Sequence, residues 1–379
     1  MKNHRIVFVI LMACLCACNK NENLQLSVID GYDNPMKENG EGIKYKDFHI
    51  TKLNTPSELY LDHIQKIDFL DDKILVQNTE GVYCFDKEGN FIRQYGTKGH
   101  GPGEYVEVGG MIVDHSKKMV LVYDNFSRAI IQFELSGKYL STMRLKSEVL
   151  NYLFSADYYD ENHLFVNYFL YKTQNTAFAL CDTKTLERND IQSYGMNTKE
   201  TAERSGMHPY EICDNAVKYV LPFKNEIYCH NRQGSFPIYQ VLTKKKIMKE
   251  KELSKINYNS IINYEYIQND NIFLGFNDIF EMDSYILLNT LYNSYFLVDK
   301  KTMTGQRYSN FDLECLPLKY LPLLNISAST NGYLVGIVKS EELEQLEFEE
   351  NNSDKNLKLL KQYVDNKEDE KIYLLYYKI

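Results

Sequence analysis

Tryptophan is absent from this chain, and so are most of the short motifs that announce chemistry. No Cys-x-x-Cys pair, Cys/His cluster, H-x-x-x-H or H-E-x-x-H spacing occurs, which removes the usual zinc sites. No G-x-S-x-G turn occurs, so hydrolase chemistry of that type has no support. Net basic charge is missing too. At −9 the chain is poorly suited to nucleic-acid phosphates, and no nucleic-acid partner is expected. Beyond the N-terminal region no apolar run is long enough to span a bilayer as a helix.

Tyrosine takes the place of tryptophan, with 31 copies, and hydrophobic residues make up 44%. A globular core is therefore affordable, and tyrosine's preference for half-buried sheet faces points to β structure. A sugar- or peptide-binding surface is the sharper reading of the same bias.

The first residues read as an export signal. Lys2, His4 and Arg5 form a basic start, Ile6 to Ala13 an apolar stretch too short for a mature span, and Leu15-Cys16-Ala17-Cys18 resembles a bacterial lipobox. Cys18 is the expected lipidation site, because the polar run Asn19-Lys20-Asn21-Glu22-Asn23 follows it directly. Cys14 competes for that role. The remaining cysteines, Cys84, Cys181, Cys213, Cys229 and Cys315, are widely spaced and read as buried hydrophobic thiols with at most one or two disulfides. The expected boundaries are a signal peptide over 1–17, a tether over 18–44 with Val28-Ile29 as a possible short strand, and one repeat domain over 45–379.

The repeat shows as short β runs separated by turn signals. Val82-Tyr83-Cys84-Phe85, a Gly89 turn and Phe91-Ile92-Arg93-Gln94-Tyr95 recur as Ala129-Ile130-Ile131-Gln132-Phe133, a Gly137 turn and Lys138-Tyr139-Leu140. Phe85 aligns with Phe133, Gly89 with Gly137 and Phe91 with Tyr139, a period of about 48 residues. Four-stranded units of that length are propeller blades. Further copies are Leu164–Val166 with Phe178–Asp182, Glu226–Cys229 with Ile238–Val241, Tyr285–Leu288 with Tyr295–Asp299, and Tyr333–Ile337 with Ile372–Tyr376. The fold class is therefore all-β, a six-bladed β-propeller. Its last blade carries a helical insertion over about 340–371, where Leu357, Leu360 and Val364 share a helical face with Leu359 and Tyr363 beside it. Placed in a loop between strands, this insertion is expected to be removable. The terminal run Lys371–Ile379 is expected to pair with the strand near His49-Ile50-Thr51 and close the ring.

The phrase Tyr95-Gly96-Thr97-Lys98-Gly99-His100-Gly101-Pro102-Gly103-Glu104-Tyr105 resembles the G-x-G-P-G-E-[YF] motif of six-bladed β-propeller lipoproteins of gut bacteria, relatives of NHL-type propellers. The lead-in strands and Phe85-Asp86-Lys87-Glu88-Gly89-Asn90-Phe91 match as well, over about residues 45–145. The resemblance implies the same fold and an address in the cell envelope, on the outer membrane. It implies little chemistry. By itself the loop Gly99, Gly101, Pro102, Gly103, Glu104, Tyr105 reads as a tight connection between blades: no Lys-Ser/Thr follows it and no helix begins there, so it is not a phosphate cradle. Glu104 is expected to cap backbone groups.

Two functions follow. One is a non-catalytic binding or protein-interaction module, held to the membrane by its lipid and taking a protein, peptide or glycan ligand. The other is a metal-dependent lyase or hydrolase with its site on the axis, where His208 and His230 are candidates to converge. The first is preferred. No residue is nominated as catalytic, no cofactor is expected, and any metal ligands are unidentified. Convergence of Asp, Glu, Asn or His on the axis is the feature that favours the enzyme. The run Lys244-Lys245-Lys246 with Lys249 and Lys251 reads as a solvated hairpin tip or a docking patch.

Overall fold

A computed structural model describes residues 26–37, 43, 46–144, 153–168, 175–185, 187–195, 208–213, 216–253, 271–290, 294–308, 325–343, 355–366 and 371–379. The signal region, Cys14, Cys18 and Cys315 lie outside them.

Six antiparallel sheets follow one another along the chain. Blade 1 is Lys66–Leu70, Lys73–Gln77, Val82–Asp86 and Phe91–Tyr95; blade 2 is Val108–Asp114, Met119–Asp124, Ala129–Glu134 and Tyr139–Arg144. Blade 3 is Leu153–Tyr158, His163–Tyr168, Thr176–Asp182 and Arg188–Ser193; blade 4 is Tyr210–Cys213, Ala216–Val220, Glu226–Asn231 and Gly234–Val241. Blade 5 is Phe276–Glu281, Tyr285–Thr290, Tyr295–Asp299 and Thr304–Tyr308. Blade 6 takes Asn325–Thr330, Tyr333–Lys339 and Ile372–Lys378 from the end of the sequence and its outer strand, Asp47–Leu53, from the beginning. That strand pairs antiparallel with the last one from Asp47↔Lys378 to Leu53↔Ile372, which is the expected closure.

The repeat extends to turn chemistry. Gly89 and Gly137 both take φ of +87°, and each amide donates to the carbonyl of the residue three before it, Asp86 and Glu134. In both blades the third strand shifts register one step earlier, at Cys84/Phe85 and at Gln132/Phe133. Blades 3 and 5 end the same strand with an Asp whose carboxylate caps the turn: Asp182 accepts the amides of Lys184 and Thr185, and Asp299 those of Lys301 and Thr302. Glu226–Cys229 and Ile238–Val241, the fourth copy, fall in the third and fourth strands of blade 4.

The described core divides into six clusters, one between each pair of adjacent blades. Strands buried on both faces therefore lack clean alternation; Ile372–Lys378 is buried at its first six positions. The insertion contains α1 (Ser340–Leu343) and α2 (Lys355–Asp365). It is not a detachable appendage. Leu343 and Leu360 are buried in the core between blades 5 and 6, Leu359, Tyr363 and Val364 pack on it, and the Asn356 amide donates to the Phe48 carbonyl. Deleting the insertion would uncover Phe48, Ile50 and Tyr377, which corrects the expectation that it can be removed.

Of the segment expected to be a tether, residues 26–37 belong to the fold. Ser27–Ile29 adds a fifth strand to blade 4, parallel to Gly234–Val241. Beyond it, Asp30 exchanges backbone hydrogen bonds with Met303 and Gly305, and the Lys37 amide donates to Arg307 of blade 5. Tyr32 inserts among Phe273, Phe276 and Phe296, with the Arg307 guanidinium 4.9 Å above its ring. Gly31 is required here: at φ +98° it leaves only 2.1 Å between a would-be Cβ and the Gly305 carbonyl oxygen. The N-terminal segment thus runs as a belt around the rim, past blades 4 and 5, before it closes blade 6.

Candidate functional site

The innermost strand of each blade borders the axis. Along blades 1, 2, 3, 4 and 6 these strands enclose a cavity of about 1060 Å³. Alternation places small or apolar side chains such as Ile67, Ala156 and Ala328 in the blade cores and turns Lys66, Asp68, Ser155, Asp157, Glu211, Ser327 and Ser329 toward the cavity.

A polar bridge crosses it. The Lys66 ammonium donates to Asp157 Oδ1 at 2.5 Å and reaches the carbonyls of Met111 at 3.2 Å and Ala156 at 3.4 Å. The Tyr210 hydroxyl donates to Asp157 Oδ2 at 2.7 Å. Blades 1, 2, 3 and 4 are tied together by one lysine, one carboxylate and one phenol. Burial beside that carboxylate drives the Tyr210 hydroxyl well above its ordinary pKa, so it remains a donor.

Glu211 sits deeper. The Ser329 hydroxyl donates to its Oε1 at 3.3 Å, while Oε2 is buried without a hydrogen-bond partner among the described residues. The imidazole Nδ1 of His208 lies 3.6 Å from it. Burial raises the Glu211 carboxyl above the usual range, with His208 pulling the other way. His208 itself is held by blade 5: its Nδ1 lies 2.9 Å from the Ile279 carbonyl, its amide donates to Asp278, and its ring stacks on Phe280. At the far end His115 lies 3.3 Å from Asp68, whose hydrogen bond raises the histidine pKa against the opposing effect of burial.

His208 and His230 do not converge. His230 lies on the third strand of blade 4, beside Ser235 and edge-on to Tyr159. The acids and histidines named as favouring an enzyme do gather on the axis, yet among the described residues no three His, Cys, Asp or Glu side chains are placed to hold a metal ion. Cys84, Cys181, Cys213 and Cys229 are free thiols; Cys84, Cys181 and Cys229 are buried, with their pKa values raised by burial, which makes them inert.

The glycine phrase lies away from the axis. It joins the outer strand of blade 1 to the inner strand of blade 2, with Thr97–Lys98 paired to Glu104–Tyr105. The Glu104 carboxylate accepts the Gly101 amide at 2.8 Å, and a Cβ at Gly99 would fall 2.0 Å from it. Tyr105 is fully buried between the two blades, its hydroxyl accepting from the Gln94 amide. Lys66, Asp157, Tyr210 and Glu211 were not foreseen from the sequence. Their signal was the charged and phenolic residues of the short first strands, two to a strand: Lys66 and Asp68, Asp157 and Tyr158, Tyr210 and Glu211.

Fold and site define a six-bladed β-propeller with a polar, bridged axial cavity. The family described as a domain of unknown function (DUF4934) matches residues 26–378, and the chain belongs to it. Among solved structures, a Bacteroides fragilis protein described as exported is 16% identical with a TM-score of 0.63, covering 94% of this chain and 100% of its own. A DUF4221 family member from Bacteroides vulgatus is 11% identical with a TM-score of 0.55, covering 88% of this chain and 96% of its own. At these identities the likeness concerns fold. A comparison with curated proteins finds no match. Among the described residues no helix is long and apolar enough to cross a membrane.

Proposed function

We propose that this chain is an exported lipoprotein, anchored through Cys18 on the outer membrane, whose propeller is a non-catalytic binding module with its ligand in the axial cavity. The cavity carries the reading. At about 1060 Å³ it is large enough for a side chain or a short segment of a partner, and its polar groups are already fixed in place by one another. Seven carboxylates line it against one lysine and two histidines, and the lysine is engaged by Asp157. With Phe69, Tyr158 and Tyr159 among the walls, that balance suits a peptide or protein segment bearing a basic side chain. The export reading draws on the N-terminal sequence and on the exported description of the Bacteroides fragilis structure. The glycine phrase supports kinship with NHL-type lipoprotein propellers.

The test of the ligand site is a peptide and glycan array probed with wild type, Glu211→Gln and a cavity-filling Ser329→Trp. Arginine- or lysine-containing peptides should be retained by wild type and lost with Ser329→Trp at an unchanged melting temperature. Signals that survive the plug would move the binding face off the axis. For the anchor, Cys18→Ala should release the protein from the membrane fraction. Continued retention would move the anchor to Cys14 or remove it altogether.

A further inference from the structure

Among the described residues six large apolar side chains are exposed, and three of them lie together: Leu26, Val28 and Leu242. They share the rim of blade 4. Val28 pairs with Gln240, and the Leu242 amide donates to the Ile29 carbonyl at 2.8 Å, so the belt strand and the end of the outer strand are neighbours. Ile29 and Val241 are fully buried in the core between blades 4 and 5. Alternation therefore turns Val28, Leu26 and Leu242 to the opposite, outer side.

Basic residues adjoin the patch. Lys244 and Lys246 are exposed just beyond Leu242, with Lys245 between them. Two acids lie along the belt: the exposed Asp30 carboxylate accepts the Gly31 amide, and that of Asp33 accepts the Thr243 hydroxyl and the Lys244 amide. Lys246 is paired with Glu252. An apolar cluster flanked by ammonium groups is the composition of a surface that settles into lipid headgroups.

The length of the preceding chain points the same way. Leu26 lies eight residue steps after Cys18. Fully extended they reach at most about 29 Å. If Cys18 carries lipid, this rim cannot leave the neighbourhood of the bilayer.

We propose that the blade 4 rim, Leu26, Val28 and Leu242 with Lys244 and Lys245, lies on an anionic phospholipid surface. The disc then stands on edge, with its axis parallel to the membrane and both ends of the channel accessible from the side. The distance argument rests on the Cys18 reading, but contact with the bilayer does not require the lipid.

The experiment uses the mature chain from residue 18 carrying Cys18→Ser, sedimented with vesicles of phosphatidylethanolamine and phosphatidylglycerol or of phosphatidylcholine. Binding to the anionic vesicles should exceed binding to phosphatidylcholine and weaken as salt rises. Val28→Glu with Leu242→Glu should weaken it about tenfold or more. Lys244→Glu with Lys245→Glu should remove the preference for phosphatidylglycerol. Melting temperatures monitored alongside should be unchanged, since Val28, Leu242 and Lys244 are exposed. Equal binding by wild type and the Val28/Leu242 variant, or none by either, overturns the proposal. So does a wild-type dimer in sedimentation velocity that the same variant abolishes, which would assign the patch to a second copy. Because no lipid is attached in any of these measurements, failure of the Cys18 anchor would show separately, in the cell fractionation.

Discussion

The N-terminal segment adds a strand to two different blades, and the two additions are unequal. On blade 6 seven residues pair antiparallel with a strand buried at six of seven positions. On blade 4 three residues pair parallel with an outer strand that is mostly half-exposed. Both cover a sheet edge, yet only the first lies between two interblade cores. The difference separates what keeps the ring shut from what lies against its outside.

The largest effect should come from breaking the stronger addition. Truncation after Lys371 removes six buried side chains and the central ladder of blade 6. At roughly 1.5–3 kcal/mol for each large apolar side chain, the loss rivals a typical net stability of about 5–15 kcal/mol. The product should be insoluble or molten by circular dichroism; a soluble product with an unchanged melting temperature would refute closure by this strand. Leu360→Ala, in the helix that covers the same region, should cost about 2–5 kcal/mol in denaturant unfolding. A change within error would show that the insertion is peripheral after all.

Gly31→Ala tests the weaker addition. Its positive φ and the approach of Gly305 should make the substitution cost about 1–3 kcal/mol. The loss should appear as faster amide exchange at Asp30 and Gly305, while the amides of Ile372–Lys378 stay protected. Loss of protection in both places would mean that belt and closure unfold as one unit.

The smallest effect concerns the axis. Burial raises the Glu211 carboxyl in the folded chain. What this acid contributes to stability is therefore present below its unfolded value of about 4.3 and is lost as pH rises through the raised folded value. Glu211→Gln should melt slightly above wild type at neutral pH, and the gap should close on acidification toward pH ~4. A gap independent of pH would assign the effect to packing.

Much of this architecture could be read directly. The third and fourth strands of blades 1 and 2 are joined by turns that demand glycine at one place, so Gly89 and Gly137 mark the period. The closing strand announced itself through a run of β-forming residues at the end of the sequence. Of the belt only Val28-Ile29 was read as a short strand, which Ser27–Ile29 bears out; its place on blade 4 escaped because three residues are too few to show alternation. The axial cavity escaped for another reason. Lys66 and Asp157 are 91 residues apart, and Asp157 and Tyr210 are 53 apart, so nothing local links them. Only the circular arrangement of blades makes them neighbours.

The belt also determines how the molecule bears a pull. Tension arriving along the chain from residue 25 would meet the three-residue ladder on blade 4 first, then the contacts of Asp30 and Lys37 with blade 5, and only then the seven-residue ladder of blade 6. The attachments are arranged in series, weakest outermost. A tug on the N-terminus would therefore peel the belt from the rim and free some twenty residues before it reached the strand that closes the ring.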